Sequence, residues 1–312
     1  MRAVGVIGLG IMGSAIAANL VRAGHSVIGY DIAPGRRRIA RASGVTSVAS
    51  VGEAARRADV VICSLPSSDA LASVADEIAR ARLAPSVVEG PVTSAIQGPR
   101  HAVVVETSTL PLDAKEAARR TLRARRIALL DCPISGTGAQ ARTGDLVLYA
   151  SGERAAFNRV APILQAFSRA QYFLGAFGNG SKMKYVANLL VAIHNVATAE
   201  ALVLAMKAGL DPETVVKVVA DGAGGSRVLQ LRGPMMARGE YADATMKMGV
   251  FQKDVAIIAA FAREMGCATP LFSASEPIYT AALASGHESD DTAAVCAILE
   301  KLANYTRAAR SR

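Results

Sequence analysis

The sequence predicts an α/β domain with a mostly parallel sheet, followed by an all-α domain that opens with a long interdomain helix. Three observations carry this. The first half alternates short β-type runs with helical patterns, the mark of a parallel sheet covered on both faces. After Gly175-Ala176-Phe177-Gly178-Asn179-Gly180 the strand pattern stops and only helical periods follow. A chain of 312 residues is long for a single core, so two domains are the default.

The elements follow in order. Ala3–Ile7 is an apolar run that reads as the first strand, and Gly8-Leu9-Gly10-Ile11-Met12-Gly13 follows at once. Ser14–Arg22 reads as a helix and Ser26–Tyr30 as a second strand, with the acid Asp31 after it. G-x-G-x-x-G between strand and helix, with an acid closing the next strand, is the pattern of a Rossmann-type dinucleotide-binding unit. The first glycine makes the tight turn, the second admits the pyrophosphate, and the third lets helix and strand pack closely. The phosphates then lie on free N–H groups at the helix N-terminus. Asp31 favours NAD, with NADP as the alternative, because a carboxylate accepts from ribose hydroxyls and repels a 2′-phosphate. Arg36, Arg37 and Arg38 follow closely and offset part of that repulsion.

Further strands are expected at Val60–Ser64, Val103–Glu106, Ile127–Asp131, Leu146–Ala150 and Ala170–Leu174. Helices are expected at Gly35–Ala42, Val51–Ala58, Asp69–Ala81, Leu112–Arg123 and Glu153–Phe167. No helix precedes Leu146–Ala150, which predicts an antiparallel edge pairing there. Ala84–Arg100 holds three prolines and no clear period. It leads into the start of a strand, whereas ligands of open α/β sheets bind at the carboxyl ends, so it reads as a peripheral loop. Ser181–Ala208 is a long helical pattern ending at Gly209, a C-terminal residue type. Asp211-Pro212 starts another helix, and breaks are expected at Gly222–Gly225, Gly233-Pro234, Thr269-Pro270 and Gly286. The boundary is placed near Leu174–Gly180, giving a dinucleotide-binding domain over 1–174 and an all-helical substrate and oligomerisation domain over 175–312.

Composition narrows the classes. About half the residues are apolar, which excludes a disordered chain. The formal charge is +9, but aromatics are few, Trp is absent and no basic run alternates with aromatics, so nucleic acid is not the expected partner. The arginines read as solvated helix faces with some attraction for anionic ligands. Cys63, Cys132, Cys267 and Cys296 are far apart in apolar surroundings, with no C-x-x-C and no Cys/His cluster. Neither a disulfide frame nor a metal site is indicated, and reduced buried thiols fit a cytoplasmic protein. Tyr185–Met206 is apolar but interrupted by Asn188, His194, Asn195 and Glu200, which suits a buried helix rather than a membrane span.

Three segments carry chemistry beyond the first turn. Asp131-Cys132-Pro133-Ile134-Ser135-Gly136-Thr137-Gly138 follows a strand and offers a hydroxyl and backbone N–H groups suited to a carboxylate; a plain turn is the alternative. Lys184 and Asn188 stand four apart on the long helix and share a face. A lysine there can exchange a proton with a substrate oxygen if burial lowers its pKa, or it can snorkel to water. Lys253-Asp254 lies on a later helix, where a surface ion pair is the alternative.

Together these motifs resemble the β-hydroxyacid dehydrogenase family, which includes 3-hydroxyisobutyrate, tartronate semialdehyde and threonate-type enzymes and is related to 6-phosphogluconate dehydrogenase. The resemblance runs over nearly the whole chain. It rests on Gly8–Gly13 with Ala17 and Asn19-Leu20, on Leu65-Pro66, and on Ser108-Thr109. It rests also on Asp131, Pro133, Ser135, Gly136, Ala141 and Gly144, on Gly175, Gly178, Gly180, Lys184 and Asn188, and on Lys253-Asp254. It implies that Gly8, Leu9, Gly10, Ile11, Met12, Gly13, Asp31, Leu65, Pro66, Thr109 and Lys253 bind the cofactor. Lys184 would be the general acid/base, Asn188 would orient the substrate, and Ser135, Gly136 and Thr137 would grip its carboxylate.

The substrate so implied is a small β-hydroxy carboxylic acid, 3-hydroxyisobutyrate-like or a threonate-like sugar acid, and the protein a homodimer or homotetramer. His194 and the Gly286-His287-Glu288 stretch resemble the threonate-type members, and Asn195 is placed near the Lys184–Asn188 face. An NADPH-dependent imine or semialdehyde reductase is the alternative, against which Lys184 argues; a non-catalytic nucleotide-binding protein is a second. Thr137 stands where the family has a second glycine, and Glu106 where it mostly has Asp.

Overall fold

The computed structural model describes residues 3–81 and 102–307; the proline-bearing segment Ala84–Arg100 lies outside them. The chain divides into two compact units, Met1–Lys184 and Tyr185–Arg312.

The first unit runs β1 (Val4–Ile7), α1 (Ile11–Arg22), β2 (Val27–Tyr30), α2 (Pro34–Ala42), β3 (Thr46–Ser47), α3 (Val51–Arg57), β4 (Val60–Cys63) and α4 (Ser68–Ala81). After the undescribed segment come β5 (Val103–Glu106), α5 (Leu112–Arg123), β6 (Ala128–Asp131), β7 (Ile134–Ser135), α6 (Gly138–Thr143), β8 (Leu146–Ala150), α7 (Arg154–Leu164) and β9 (Ser168–Phe173). Among the described residues β1 to β6 form one parallel sheet in the order β3-β2-β1-β4-β5-β6. This is the doubly wound order whose strand direction of travel reverses between β1 and β4.

β1, β4 and β5 are buried along their whole length, which is why they are near-continuous Val/Ile runs rather than alternating ones. Their side chains divide between two cores. Val4, Val6, Val60, Ile62, Val103 and Val105 pack with α1 and α7 on one face, and Ile7, Val61, Cys63 and Val104 with α3, α4 and α5 on the other.

Leu146–Ala150 does pair antiparallel, but with Ile134–Ser135 in a second sheet, β7-β8-β9, rather than on the edge of the first. An antiparallel bridge between Asp131 and Ser151 ties this sheet to the end of β6. The sequence reading missed β3 and β7, of two residues each, and α6, of six, because runs so short barely repeat their period.

Helix α8 (Asn179–Lys207) carries the chain from the first unit into the second. By length and hydropathy it could cross a membrane, yet half of its most apolar stretch is packed inside the protein. α9 (Pro212–Asp221), α10 (Arg227–Arg238), α11 (Met248–Glu264), α12 (Pro270–Ala284) and α13 (Val295–Leu302) follow. Asp211 and Ser226 cap α9 and α10 by accepting from backbone N–H groups three residues on, as N-cap side chains do.

Gly233-Pro234 does not break the helical run but lies inside α10. There Gly233 lets α10 approach Val216 of α9, and burial of Val228, Leu229, Met236 and Ala237 outweighs the backbone bond that proline forfeits. Cys63, Cys132 and Cys296 are buried, but Cys267 is exposed because it follows the end of α11 in a surface turn.

Candidate active site

β1 ends at the Gly8 turn. Gly8 has φ +88, and a Cβ added there would sit 2.1 Å from Ser64 O. A Cβ on Gly13 would meet Gly8 O at 1.8 Å. No side chain fits at either place, so turn and helix close on each other through bare backbone. Gly10 differs: a Cβ there would come no nearer than 3.9 Å to Arg36 Nη1, so the protein itself does not require glycine. The absent side chain leaves room above the turn, where a dinucleotide's pyrophosphate belongs. Gly10 is also the N-cap of α1, with no side chain closing the helix end and no acid in its first turn, which suits an anion.

Asp31, just past β2, is buried. Its Oδ2 accepts from Leu9 N at 2.7 Å and its Oδ1 from Ala33 N at 2.8 Å. Arg36 Nη1 lies 3.4 Å from Oδ2, and Arg37 Nη1 donates to the Asp31 carbonyl at 2.5 Å. Oδ2 is met by both Leu9 N and Arg36, while Oδ1, with Ala33 N as its donor, keeps a lone pair for a ribose hydroxyl. These residues fit a dinucleotide. Leu9 is buried while Ile11 is exposed, and a Cβ on Gly138 would touch Ile11 Cγ2 at 2.7 Å. The loop after β7 therefore lies against the nucleotide turn, and Asn19 of α1 anchors it by donating to Ala141 O at 2.6 Å.

That loop answers the question raised by Thr137. Its hydroxyl caps α6 by accepting from Gln140 N, and Gln140 Oε1 accepts from Thr137 N at 3.0 Å. Thr137 thus forms a capping box, and its amide is already committed. Ser135 and Gly136 precede it at the end of β7.

The ends of β4, β5 and β6 are joined beneath these loops. Cys63, Glu106 and Asp131 are register partners on neighbouring strands, so two buried carboxylates stand side by side. Lys115 of α5 separates their charges: its Nζ is 2.6 Å from Glu106 Oε2, 2.8 Å from Asp131 Oδ1 and 2.7 Å from Ser108 O. All three ionic side chains are fully buried. Burial opposes the charge on Lys115, but the Asp131 and Glu106 carboxylates outweigh it and hold its pKa above the usual lysine value.

Ser108 N donates to Glu106 Oε1 at 2.8 Å, and Ser108 Oγ accepts from Leu65 N at 2.7 Å. Leu65-Pro66 and Ser108-Thr109 are thereby held together at the carboxyl edge of the sheet. Cys63 and Cys132 are fully buried, and burial pushes their thiols well above the usual pKa.

α8 begins on the same cluster. Ser181 N and Ser181 Oγ each donate to Asp131 at 2.8 Å, and Gly180 N donates to Ser151 Oγ at 2.9 Å. A Cβ on Gly180 would lie 2.2 Å from Tyr149 O, which is why glycine stands there. Lys184 follows Ser181 by one turn and is buried. In the second unit Asn188, also buried, donates through Nδ2 to Asp254 Oδ2 at 2.8 Å. Lys253 Nζ donates to Asp254 Oδ1 at 2.8 Å.

The sequence reading missed Lys115, Ser181 and the Asn188–Asp254 bond. The signal for Lys115 was its place on the apolar face of α5 with Ala118 and Leu122. Asn195 is committed within its own unit: its Nδ2 donates to Tyr279 Oη and Thr292 O. His194 is half-buried, and His287 pairs with Asp290 at 2.7 Å.

This arrangement defines a nucleotide-dependent oxidoreductase, and the comparisons give its family. A model described as the NAD binding domain of 6-phosphogluconate dehydrogenase matches residues 3–175. A second, described as NAD-binding of NADP-dependent 3-hydroxyisobutyrate dehydrogenase, matches residues 178–299. An L-threonate dehydrogenase of Cupriavidus necator is 32% identical over 299 residues, 95% of this chain and 96% of that one. An NAD-dependent L-serine dehydrogenase of Pseudomonas aeruginosa is 27% identical, covering 95% of this chain and 97% of its own. The solved 3-hydroxyisobutyrate dehydrogenase of Mycobacterium tuberculosis with L-serine superposes with a TM-score of 0.82 at 27% identity, over 96% of this chain and 99% of that one. The chain belongs to the β-hydroxyacid dehydrogenase family of NAD(P)-dependent oxidoreductases.

Proposed function

We propose that this protein oxidises a small β-hydroxy carboxylic acid, threonate-like or 3-hydroxyisobutyrate-like, with NAD as the preferred cofactor and Lys184 as general acid/base. The observation that carries the reading is the placement of Lys184. It is a buried lysine one turn past Ser181, which is fixed to Asp131 at the carboxyl edge of the sheet. The nucleotide turn Gly8–Gly13 leaves β1 at that same edge.

When bound, the nicotinamide supplies the hydride acceptor. The residues supply the rest. Lys184, in its neutral form, takes the proton from the substrate hydroxyl as the C–H bond breaks, and returns it in the reverse direction. Asn188 orients that hydroxyl; one of its amide N–H groups is committed to Asp254, which fixes its rotamer. Ser135 and the Gly136 amide take the carboxylate, because the Thr137 amide is held by Gln140. Asp31 accepts from the adenosine ribose, which supports NAD over NADP. Leu65, Pro66 and Thr109 flank the nicotinamide side, and Lys253 is assigned to the cofactor by the family pattern.

Self-association is part of the same reading. Met183, Val186, Leu190 and Leu204 are exposed large apolar residues on α8, and at about 100° per residue they fall within roughly 60° of one another. Such a stripe suits a second copy of this chain, as a homodimer or homotetramer, and light scattering of the purified protein tests it. The buried thiols Cys63, Cys132 and Cys296 fit a cytoplasmic location.

A panel of β-hydroxy acids with NAD or NADP, followed at the absorbance of the reduced nicotinamide, tests the substrate class. Turnover is expected with β-hydroxy acids of about three to five carbons and NAD. Turnover confined to imines with NADPH would overturn it.

A further inference from the structure

Glu106 and Asp131 pose a physical problem that the reaction itself does not explain. They are the last residues of adjacent parallel strands, in register, and both are fully buried. Like charges so placed repel, and burial strengthens the repulsion. The sequence could have resolved this with apolar residues, as it does at Val103, Val104 and Val105. Instead it spends a buried lysine from a third element, and sets that lysine against Glu106 and Ser108 at the end of β5 and Asp131 at the end of β6. Buried ion groups of this kind are weak sources of stability, which leaves what they join as their meaning.

What they join is specific. The Lys115 ammonium donates to Ser108 O, the residue before Thr109. Glu106 takes the Ser108 amide, and the Ser108 hydroxyl takes the Leu65 amide. Asp131 takes the Ser181 amide and hydroxyl and the Ser151 hydroxyl. The loops after β4 and β5, the ends of β6 and β8 and the first turn of the Lys184 helix therefore meet in one hydrogen-bonded cluster.

We propose that Lys115 is a positioning residue for the reaction: with Glu106 and Asp131 it fixes Lys184 relative to the Ser108-Thr109 loop. The inference rests on the role of Lys184 proposed above. Lys115 does not touch substrate in this account. It sets the separation between the loop beside the hydride acceptor and the helix that bears the base, and an error of about 1 Å in such a separation costs on the order of 100-fold in rate.

The test uses the full-length protein and three variants. Lys115→Met removes the ammonium at similar volume but strands two carboxylates. Lys115→Met with Glu106→Gln removes one positive and one negative charge together, so the cluster keeps its net charge. Ser181→Ala cuts the hydroxyl link from α8 to Asp131 and leaves the ion group whole. For each, kcat and KM are measured per nucleotide-binding site, well below the melting temperature, with protiated and deuterated substrate.

The expected result is a fall in kcat of roughly 10- to 100-fold in the double variant. Ser181→Ala should show a smaller fall in the same direction. The Kd for NADH stays within about threefold, and the substrate isotope effect on kcat rises as hydride transfer becomes limiting. A purely structural cluster would lower the melting temperature and leave kcat and the isotope effect unchanged in Ser181→Ala and in any Lys115 variant that folds. That outcome overturns the proposal. Wild-type turnover that survives Lys184→Ala is a separate failure, of the acid/base assignment, and is read independently.

Discussion

The glycines of the nucleotide turn make different demands, and the difference can be measured. Gly13→Ala places a Cβ 1.8 Å from Gly8 O and 2.9 Å from Gly8 C. Both are backbone atoms of the turn, so relief requires helix and strand to part. A cost of roughly 3 kcal/mol or more is expected, the upper end of overpacking. Gly10→Ala places its Cβ 3.9 Å from the end of a flexible arginine. Its backbone, at φ −69, suits alanine, so the cost is only that of a poorer N-cap, about 1 kcal/mol at most.

With nucleotide bound, that same methyl occupies the space the pyrophosphate needs. Overpacking of about 1–3 kcal/mol then appears in binding alone, weakening NADH by roughly 5- to 150-fold. Urea unfolding and NADH fluorescence titration on both variants separate the two effects. Gly10→Ala should unfold close to wild type and bind poorly, and Gly13→Ala should lose both. Wild-type affinity in Gly10→Ala, or equal destabilisation in the two, would refute the reasoning.

Other outcomes follow from the geometry. Asp31→Asn should weaken NAD and narrow its advantage over NADP, read as the ratio of kcat/KM with the two cofactors; an unchanged ratio would remove Asp31 from cofactor choice. Thr137→Ala breaks the α6 capping box and should cost about 1 kcal/mol by urea unfolding while leaving kcat nearly intact; a collapse of kcat would mean that Thr137 touches substrate. Asp291 accepts from Arg232 Nε at 2.9 Å and from Thr245 N and Met246 N. Burial opposes its charge, but Arg232 and the backbone N–H groups outweigh it and lower its pKa. Its contribution is therefore present above the unfolded carboxylate pKa and lost as pH falls through the lower folded value. Asp291→Asn should cost about 3–5 kcal/mol near neutral pH. That gap should narrow as pH falls through the lowered folded pKa, as linkage requires; a pH-independent gap would contradict the sign.

Much of this was legible in the chain. The Gly8–Gly13 turn declared itself because strand, glycine spacing, helix and Asp31 lie within one short stretch. α8 was legible because its period runs unbroken for many turns. What escaped depended on contacts between distant segments. Lys115 looks like any charged helix residue until strand order brings Glu106 and Asp131 into register beneath it. Asn195 shares a stretch with Asn188, yet Tyr279 and Thr292, which arrive late in the chain, decide its role. Thr137 was open to a better reading: Thr137 and Gln140 stand at capping-box spacing, a local signal that explains why threonine replaces the second glycine.

The most direct measurement of the central claim is single-turnover hydride transfer in Lys184→Ala, with nucleotide affinity determined on the same sample. The account expects NADH to bind within about threefold of wild type while hydride transfer falls by roughly 100-fold or more, the share general acid/base catalysis typically contributes. Transfer at the wild-type rate would contradict it and would leave the proton to some other group.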